Sequence, residues 1–148
     1  MTATVVALNN LDAEQTLDEA FPDVDPGFIP YGSRVLVQVR AVKEKVTSSG
    51  IVLPEETKET EKWNTQVAKV LALGPLAFCK RDSMEPWPEG AWAKVGEYVR
   101  IIKWGGDKWE VPFTDANGLK GTALFAVFND HELIGKITAD PRAIRAFL

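Results

Sequence analysis

Residues Lys43 to Lys62 read KEKVTSSGIVLPEETKETEK. Almost every residue in this run is polar, charged or small, and a single apolar triple interrupts it: Ile51, Val52 and Leu53, with Gly50 before and Pro54 after. Three apolar residues between a Gly and a Pro are too few for a strand of a sheet. As a helix the run has no apolar face, and β-branched Val46, Thr47, Ile51 and Val52 lower its propensity. Its composition is that of a loop that buries little of itself. A structureless loop of about twenty residues inside a compact domain is usually functional. The residues alone leave two readings open. Either this is an exposed connection whose apolar triple tucks against the body of the domain, or it is a mobile loop offering a short hydrophobic plug to a partner's groove.

The flanks of the loop read as strands. Phe28 to Val42 carries Val35, Val37 and Val39 in alternation with Arg34, Leu36, Gln38 and Arg40, the period of a strand with one face on a core. Leu36 on the second face implies that this side is partly covered too, for instance by a neighbouring subunit. Trp63 to Leu73 is a second strand, with Val67, Leu71 and Leu73 assigned to one face and Val70 to the other; Gly74-Pro75 ends it. Residues 98–102 form another strand, followed by a tight turn at Trp104-Gly105-Gly106-Asp107. Lys108 to Phe113, with Trp109 and Val111 on one face, a turn at Asp115-Ala116-Asn117-Gly118, and the apolar run of residues 122–128 complete the pattern. Short strands punctuated by Gly and Pro turns point to an all-β barrel or sandwich.

At 148 residues the chain has room for one such domain with extensions. No apolar run has the length of a membrane-spanning helix, and no signal peptide is expected from the N-terminal residues. The net charge of −4 gives no electrostatic reason to bind nucleic acid or an anionic membrane. One cysteine, Cys79, excludes an internal disulfide and suits a reducing cytoplasm. Charge is unevenly placed: residues 1–27 hold six acids and no Lys or Arg, so they stand apart as an acidic N-terminal extension. Within it Asn10 can cap a helix over residues 11–20, stopped by Pro22; the other reading is a flexible acidic arm. Residues 138–148 form a C-terminal tail, in which Asp140 can cap a helix with Pro141 at its first position and Ile144, Phe147 and Leu148 at helical spacing.

Enzymatic chemistry is not expected. His131 is the only histidine and Cys79 the only cysteine, too few for a zinc site, so no metal is expected. A Cys–His nucleophilic pair is formally available, against the plainer reading of a strand-end histidine and a loop thiol. No Gly-rich dinucleotide fingerprint or P-loop is present, so no cofactor is expected. Ser48-Ser49-Gly50 lacks the strand–turn–helix setting of a nucleophile elbow. Trp104 and Trp109 have Lys103 and Lys108 beside them, as single-strand nucleic-acid binders do, but the overall charge opposes that use.

Ser49-Gly50-Ile51-Val52-Leu53-Pro54 closely resembles the mobile loop of the GroES-type co-chaperonins, the chaperonin-10 family. Ile29-Pro30-Tyr31-Gly32-Ser33-Arg34-Val35-Leu36-Val37 resembles that family's first strand, Val67 to Pro75 its G-x-V-x-A-V-G-P segment, and Lys94-Val95-Gly96-Glu97-Tyr98-Val99 its V-K-V-G-D-x-V segment. Phe128 to Ile134 resembles its closing segment. The matches are ordered along residues 29–137. The resemblance implies an irregular GroES-like β-barrel over residues 28–137, with a mobile loop at 43–62 and a possible roof segment at 76–92. The alternative for 76–92 is an Ω-like loop folded on its own aromatics. The resemblance further implies a heptameric, non-enzymatic lid that caps a GroEL-type chaperonin and encloses an unfolded client in the cytoplasm. Gly50, Ile51, Val52 and Leu53 would bind the chaperonin. The arm and the tail are departures from the family and look more like its divergent bacteriophage members. A rival from another class is a non-enzymatic β-barrel interaction module, such as a phage structural protein or a single-strand nucleic-acid binder.

Overall fold

The computed structural model describes residues 16–41, 66–102 and 104–144. Among them six strands form one antiparallel sheet: β1 (Arg34–Val39), β2 (Val67–Leu73), β3 (Tyr98–Ile101), β4 (Asp107–Thr114), β5 (Lys120–Asn129) and β6 (Leu133–Lys136), in the order β4-β5-β1-β2-β3-β6. The all-β expectation is borne out. β1, the strand with the clearest alternation, is central and pairs with both β5 and β2. Pro112 is tolerated because β4 is an edge strand.

Every strand from β5 to β6 contributes to one core. Phe128 and Leu124 of β5, Val35, Val37 and Val39 of β1, Val70 of β2, Val99 and Ile101 of β3 and Leu133 of β6 belong to a single buried cluster. Side chains of five successive strands can meet this way only if the sheet curls around them. Gly74 and Gly32 approach so closely at one end that a Cβ on Gly74 would overlap the Gly32 carbonyl oxygen.

The second strand departs from the alternation assigned to it. Leu36 pairs with Ala72 but Val37 with Val70, so Leu71 is an extra residue, a β-bulge. The bulge resets the pleat: Val70 and Leu73 face the main core, while Leu71 packs on the outer face with Leu36. Leu73 therefore does not share a face with Leu71, as strict alternation requires.

The outer face of β1 is covered, as Leu36 implied, but by this chain itself. Leu36, Phe125 and Val127 pack with Trp109, Val111 and Phe113 of β4 and with Val24. Residues 20–28 lie along this face. The Gln38 amide donates to the Pro22 carbonyl (2.8 Å), the Trp109 indole N–H donates to the Pro26 carbonyl (3.3 Å), and the Phe28 ring lies 4.8 Å from Trp109. Of the helix expected over 11–20, residues 11–15 lie outside the described residues; among those described it is a single turn, α1 (Leu17–Ala20). Thr16 is extended, and its hydroxyl accepts from the Glu19 amide, so the cap falls there; Asn10 is outside the described residues.

Among its described residues, 138–144, the tail makes a turn where a helix was expected. Asp140 accepts from the Arg142 amide (2.9 Å), and the Ala143 amide donates to the Asp140 carbonyl (3.1 Å). Ile144 then packs with Ala20, Phe21, Val67, Tyr98 and Ile137 in a small third cluster. Phe147 and Leu148 are outside the described residues.

Candidate functional site

Gly50, Ile51, Val52 and Leu53 fall in residues 42–65, outside the described residues, as does the whole 43–62 loop. Both ends of that connection are well defined. β1 and β2 pair in register as far as Val39 and Ala68, and the Arg40 amide then donates to the Val67 carbonyl (2.9 Å). Paired antiparallel strands lie about 5 Å apart, so the connection leaves and re-enters the sheet at one place. Beyond that bond each end has its own anchor. The Ala41 amide donates to the Ala20 carbonyl (2.8 Å). On the other side the Ile101 amide donates to the Gln66 carbonyl (3.0 Å), the Gln66 side-chain amide donates to the Ile101 carbonyl (2.9 Å), and Arg100 donates to Gln66 Oε1 (3.3 Å).

Arg40 is buried at this root. Its Nη1 donates to the carbonyls of Pro141 (2.8 Å), Arg142 (3.2 Å) and Ile144. Sequence reasoning placed Arg40 on the second face of the strand expected over Phe28 to Val42 and missed this role. The only signal was Leu36 on the second face, which marked that face as covered without saying by what.

Residues 75–92 form a small double-backed segment. Cys79 and Pro86 are bridged, the Lys80 amide donates to the Glu85 carbonyl (2.7 Å) and the Trp87 amide to the Phe78 carbonyl (3.0 Å). Its aromatics pack on each other: Trp87 is 5.5 Å from Phe78 and 4.8 Å from Trp92. Phe78 sits at φ +60°, a left-handed conformation costly for a bulky residue. Burial of its ring and a hydrogen bond from its amide to the buried Asp130 carboxylate (2.8 Å) hold it there. Asp130, a second residue the sequence did not single out, also accepts from the His131 amide (2.8 Å).

Cys79 and His131 line the same hollow, of about 320 Å³, together with Ser33, Lys80, Arg81, Trp87, Asn129 and Asp130. They do not form a nucleophilic pair. The thiol is directed at the Ala77 carbonyl (3.6 Å), and the exposed imidazole faces Asp130 (3.5 Å). Among the described residues no group of three or more His, Cys, Asp or Glu is placed to hold a metal ion, and no helix is long and apolar enough to cross a membrane.

Several of the described groups have displaced acidities. A hydrogen bond from Lys136 chiefly lowers Glu97, which thereby ties the turn before β3 to β6. Hydrogen bonding to the Arg142 guanidinium chiefly lowers Asp140. Burial raises the Tyr98 phenol, with smaller contributions from Asp140 and Asp18. Burial lowers Lys108.

Comparison with known proteins agrees with this architecture. The family model of the chaperonin 10 kDa subunit, Cpn10, matches residues 27–128. A mitochondrial 10 kDa heat shock protein of Oryzias latipes is 31% identical over 109 residues, covering 74% of this chain and 92% of the relative. The co-chaperonin GroES of Clostridium botulinum strain Hall is 36% identical over 100 residues, covering 66% of this chain and 93% of its own length. The match spans the described strands β1 to β4 and nearly all of β5, and on it the chain belongs to the Cpn10 family of GroES-type co-chaperonins.

Proposed function

We propose that this chain is one subunit of a heptameric lid that closes a GroEL-type chaperonin over an unfolded client during ATP-dependent folding, and that Gly50, Ile51, Val52 and Leu53 are its chaperonin-binding residues. The observation that carries the reading is the root geometry of residues 42–65. The connection that carries the apolar triple leaves and re-enters the sheet at one place anchored on both sides, in a chain of the Cpn10 family. The domain plan that goes with it is an acidic extension at 1–27, a barrel at 28–137 with the loop at 43–62 and a roof segment at 76–92, and a tail at 138–148. The reading places the protein in the cytoplasm of a bacterium or of an infected host cell, a reducing compartment that suits a chain with one cysteine.

The energetics explain why such a lid uses many weak contacts. Fully burying an aliphatic side chain contributes about 1.5–3 kcal/mol, and ordering each loop residue costs about 1–2 kcal/mol in backbone entropy. One plug therefore binds weakly, because ordering consumes much of what burial supplies. A ring of plugs converts each later contact into an intramolecular one, so avidity rises steeply while each contact can still release.

The test is refolding of a chaperonin-dependent client with a GroEL-type chaperonin and ATP. The parent should support refolding in place of a known co-chaperonin, and Val52→Asp should not, since an unpaired charge in an apolar groove is very unfavourable. Equal refolding yields for the two proteins would overturn the assignment of the plug. A parent that neither supports refolding nor forms a complex would favour the interaction-module reading.

A further inference from the structure

Two parts of the chain outside the family match meet at the root of residues 42–65. From the N-terminal side Ala20 accepts the Ala41 amide, and the Phe21 ring lies 5.1 Å from Tyr98. From the C-terminal side the carbonyls of Pro141, Arg142 and Ile144 converge on one guanidinium nitrogen of Arg40. Ala20, Phe21 and Ile144 share a cluster with Val67, the first residue of β2. Asp18 of the arm and Asp140 of the tail both act on the Tyr98 phenol, so the two segments approach the same ring. The tail is itself shaped for this contact. Asp140 accepts the Arg142 guanidinium through both carboxylate oxygens and closes the turn that directs the carbonyls at Arg40.

We infer that the arm and the tail form a collar that positions the root of residues 42–65, with Arg40 as the positioning residue. The inference rests on the reading of that segment as the chaperonin-binding one. Carbonyls at the end of a turn lack partners within it, and a cation there satisfies them. The collar fixes the backbone at Ala41 and, through Val67, at the return, so both ends of the connection start from held points. Effective concentration in a multivalent complex depends on tether length and on where each tether starts. A fixed root presents every plug of a ring from the same place and in the same direction. Loss of the collar lengthens the tether and scatters its exit, which shortens the residence of the lid on its chaperonin.

The test uses the full chain, a truncation after Ile137, and the variants Arg40→Met and Arg40→Lys. Two quantities are measured: hydrogen exchange at the Ala41 amide, and residence on a GroEL-type ring well below the unfolding temperature. The truncation should speed Ala41 exchange by roughly tenfold, because arm and tail open as one unit. Arg40→Met should do the same, and Arg40→Lys, which still donates to carbonyls, should restore most of the protection. Residence should fall several-fold in the fast-exchanging variants and recover in Arg40→Lys, which a loss of general stability would not produce. Unchanged Ala41 exchange in both the truncation and Arg40→Met would overturn the collar. Accelerated exchange with unchanged residence would overturn its role in binding. Should the parent fail to bind any chaperonin ring, the proposed function fails, and Ala41 exchange still decides whether the collar exists. If the truncation does not fold, the Arg40 pair carries both measurements.

Discussion

Residues 75–92 and the arm-and-tail pair are both irregular chain attached to the same sheet, yet they are held in opposite ways. The first segment is held largely by itself. Phe78, Trp87 and Trp92 stack within fifteen residues of sequence, and one outside group, the Asp130 carboxylate, pins the strained backbone at Phe78. The arm and tail are attached to the sheet from a distance: Trp109 reaches Pro26, Gln38 reaches Pro22, and Arg40 reaches across about a hundred residues to Pro141. The contrast teaches where each can fail. A self-held segment loses its shape when one aromatic goes, whereas a segment held by scattered polar contacts loosens in steps.

The largest expected effect tests the first half of that contrast. Phe78→Ala removes a fully buried ring that belongs to both the segment and the main core, and should destabilise the protein by about 3–5 kcal/mol. Because Phe78 sits at φ +60°, Phe78→Gly should be less damaging than Phe78→Ala by about 1 kcal/mol, the reverse of the order in ordinary strands. Urea unfolding followed by tryptophan fluorescence reads both. A loss below about 1 kcal/mol for Phe78→Ala would mean that the segment does not depend on its aromatics. The smaller effect belongs to the arm. Trp109→Phe keeps an aromatic against Phe28 and Phe125 but removes the donor to the Pro26 carbonyl, and should cost about 0.5–1.5 kcal/mol. Exchange should rise in residues 20–28 and stay unchanged in 75–92. Equal acceleration in both segments would erase the distinction between them.

The same contrast explains what could be read from sequence. The strands were legible because Val35, Val37 and Val39 alternate and because Gly and Pro mark the turns, signals carried by neighbouring residues. The aromatics of 75–92 were likewise visible as a local concentration of Phe and Trp. The bulge at Leu71 was not, since it is set by the pairing of β2 with β1; Gln66, Lys69 and Ala72 break the alternation of the strand without marking which residue is extra. Leu36 announced a covered outer face, but only the fold shows that the arm and β4 cover it and that no neighbour is needed at that position. Arg40 was read as a polar strand residue, because nothing near it in sequence shows three carbonyls from residues 141–144. Gly50, Ile51, Val52 and Leu53 are proposed as a site through a resemblance and through their mismatch with their sequence surroundings, not through any packing pattern.

The smallest effect separates tail from arm. Asp140 has its acidity strengthened chiefly by the Arg142 guanidinium, so its ionised form is favoured in the folded state. A carboxylate whose folded value is lowered contributes stability that is fully present above its unfolded value, near 3.8, and is lost as pH falls through the lowered folded value. Between pH 7 and pH 5 the tail turn should therefore be insensitive to acid, and below about pH 4 it should begin to open. The Arg40 guanidinium keeps its charge throughout this range, so the change would report the Asp140–Arg142 turn and not the loss of its carbonyl acceptors' partner. Exchange at the Arg142 amide, which donates to Asp140, is the direct readout, and Asp140→Asn should remove the pH dependence while weakening the turn at all pH values. If Arg142 exchange, corrected for its intrinsic pH dependence, shows no acid step in the parent, the Asp140 carboxylate does not hold the turn, and the tail leans on the distant Arg40 bonds still more than the comparison with residues 75–92 requires.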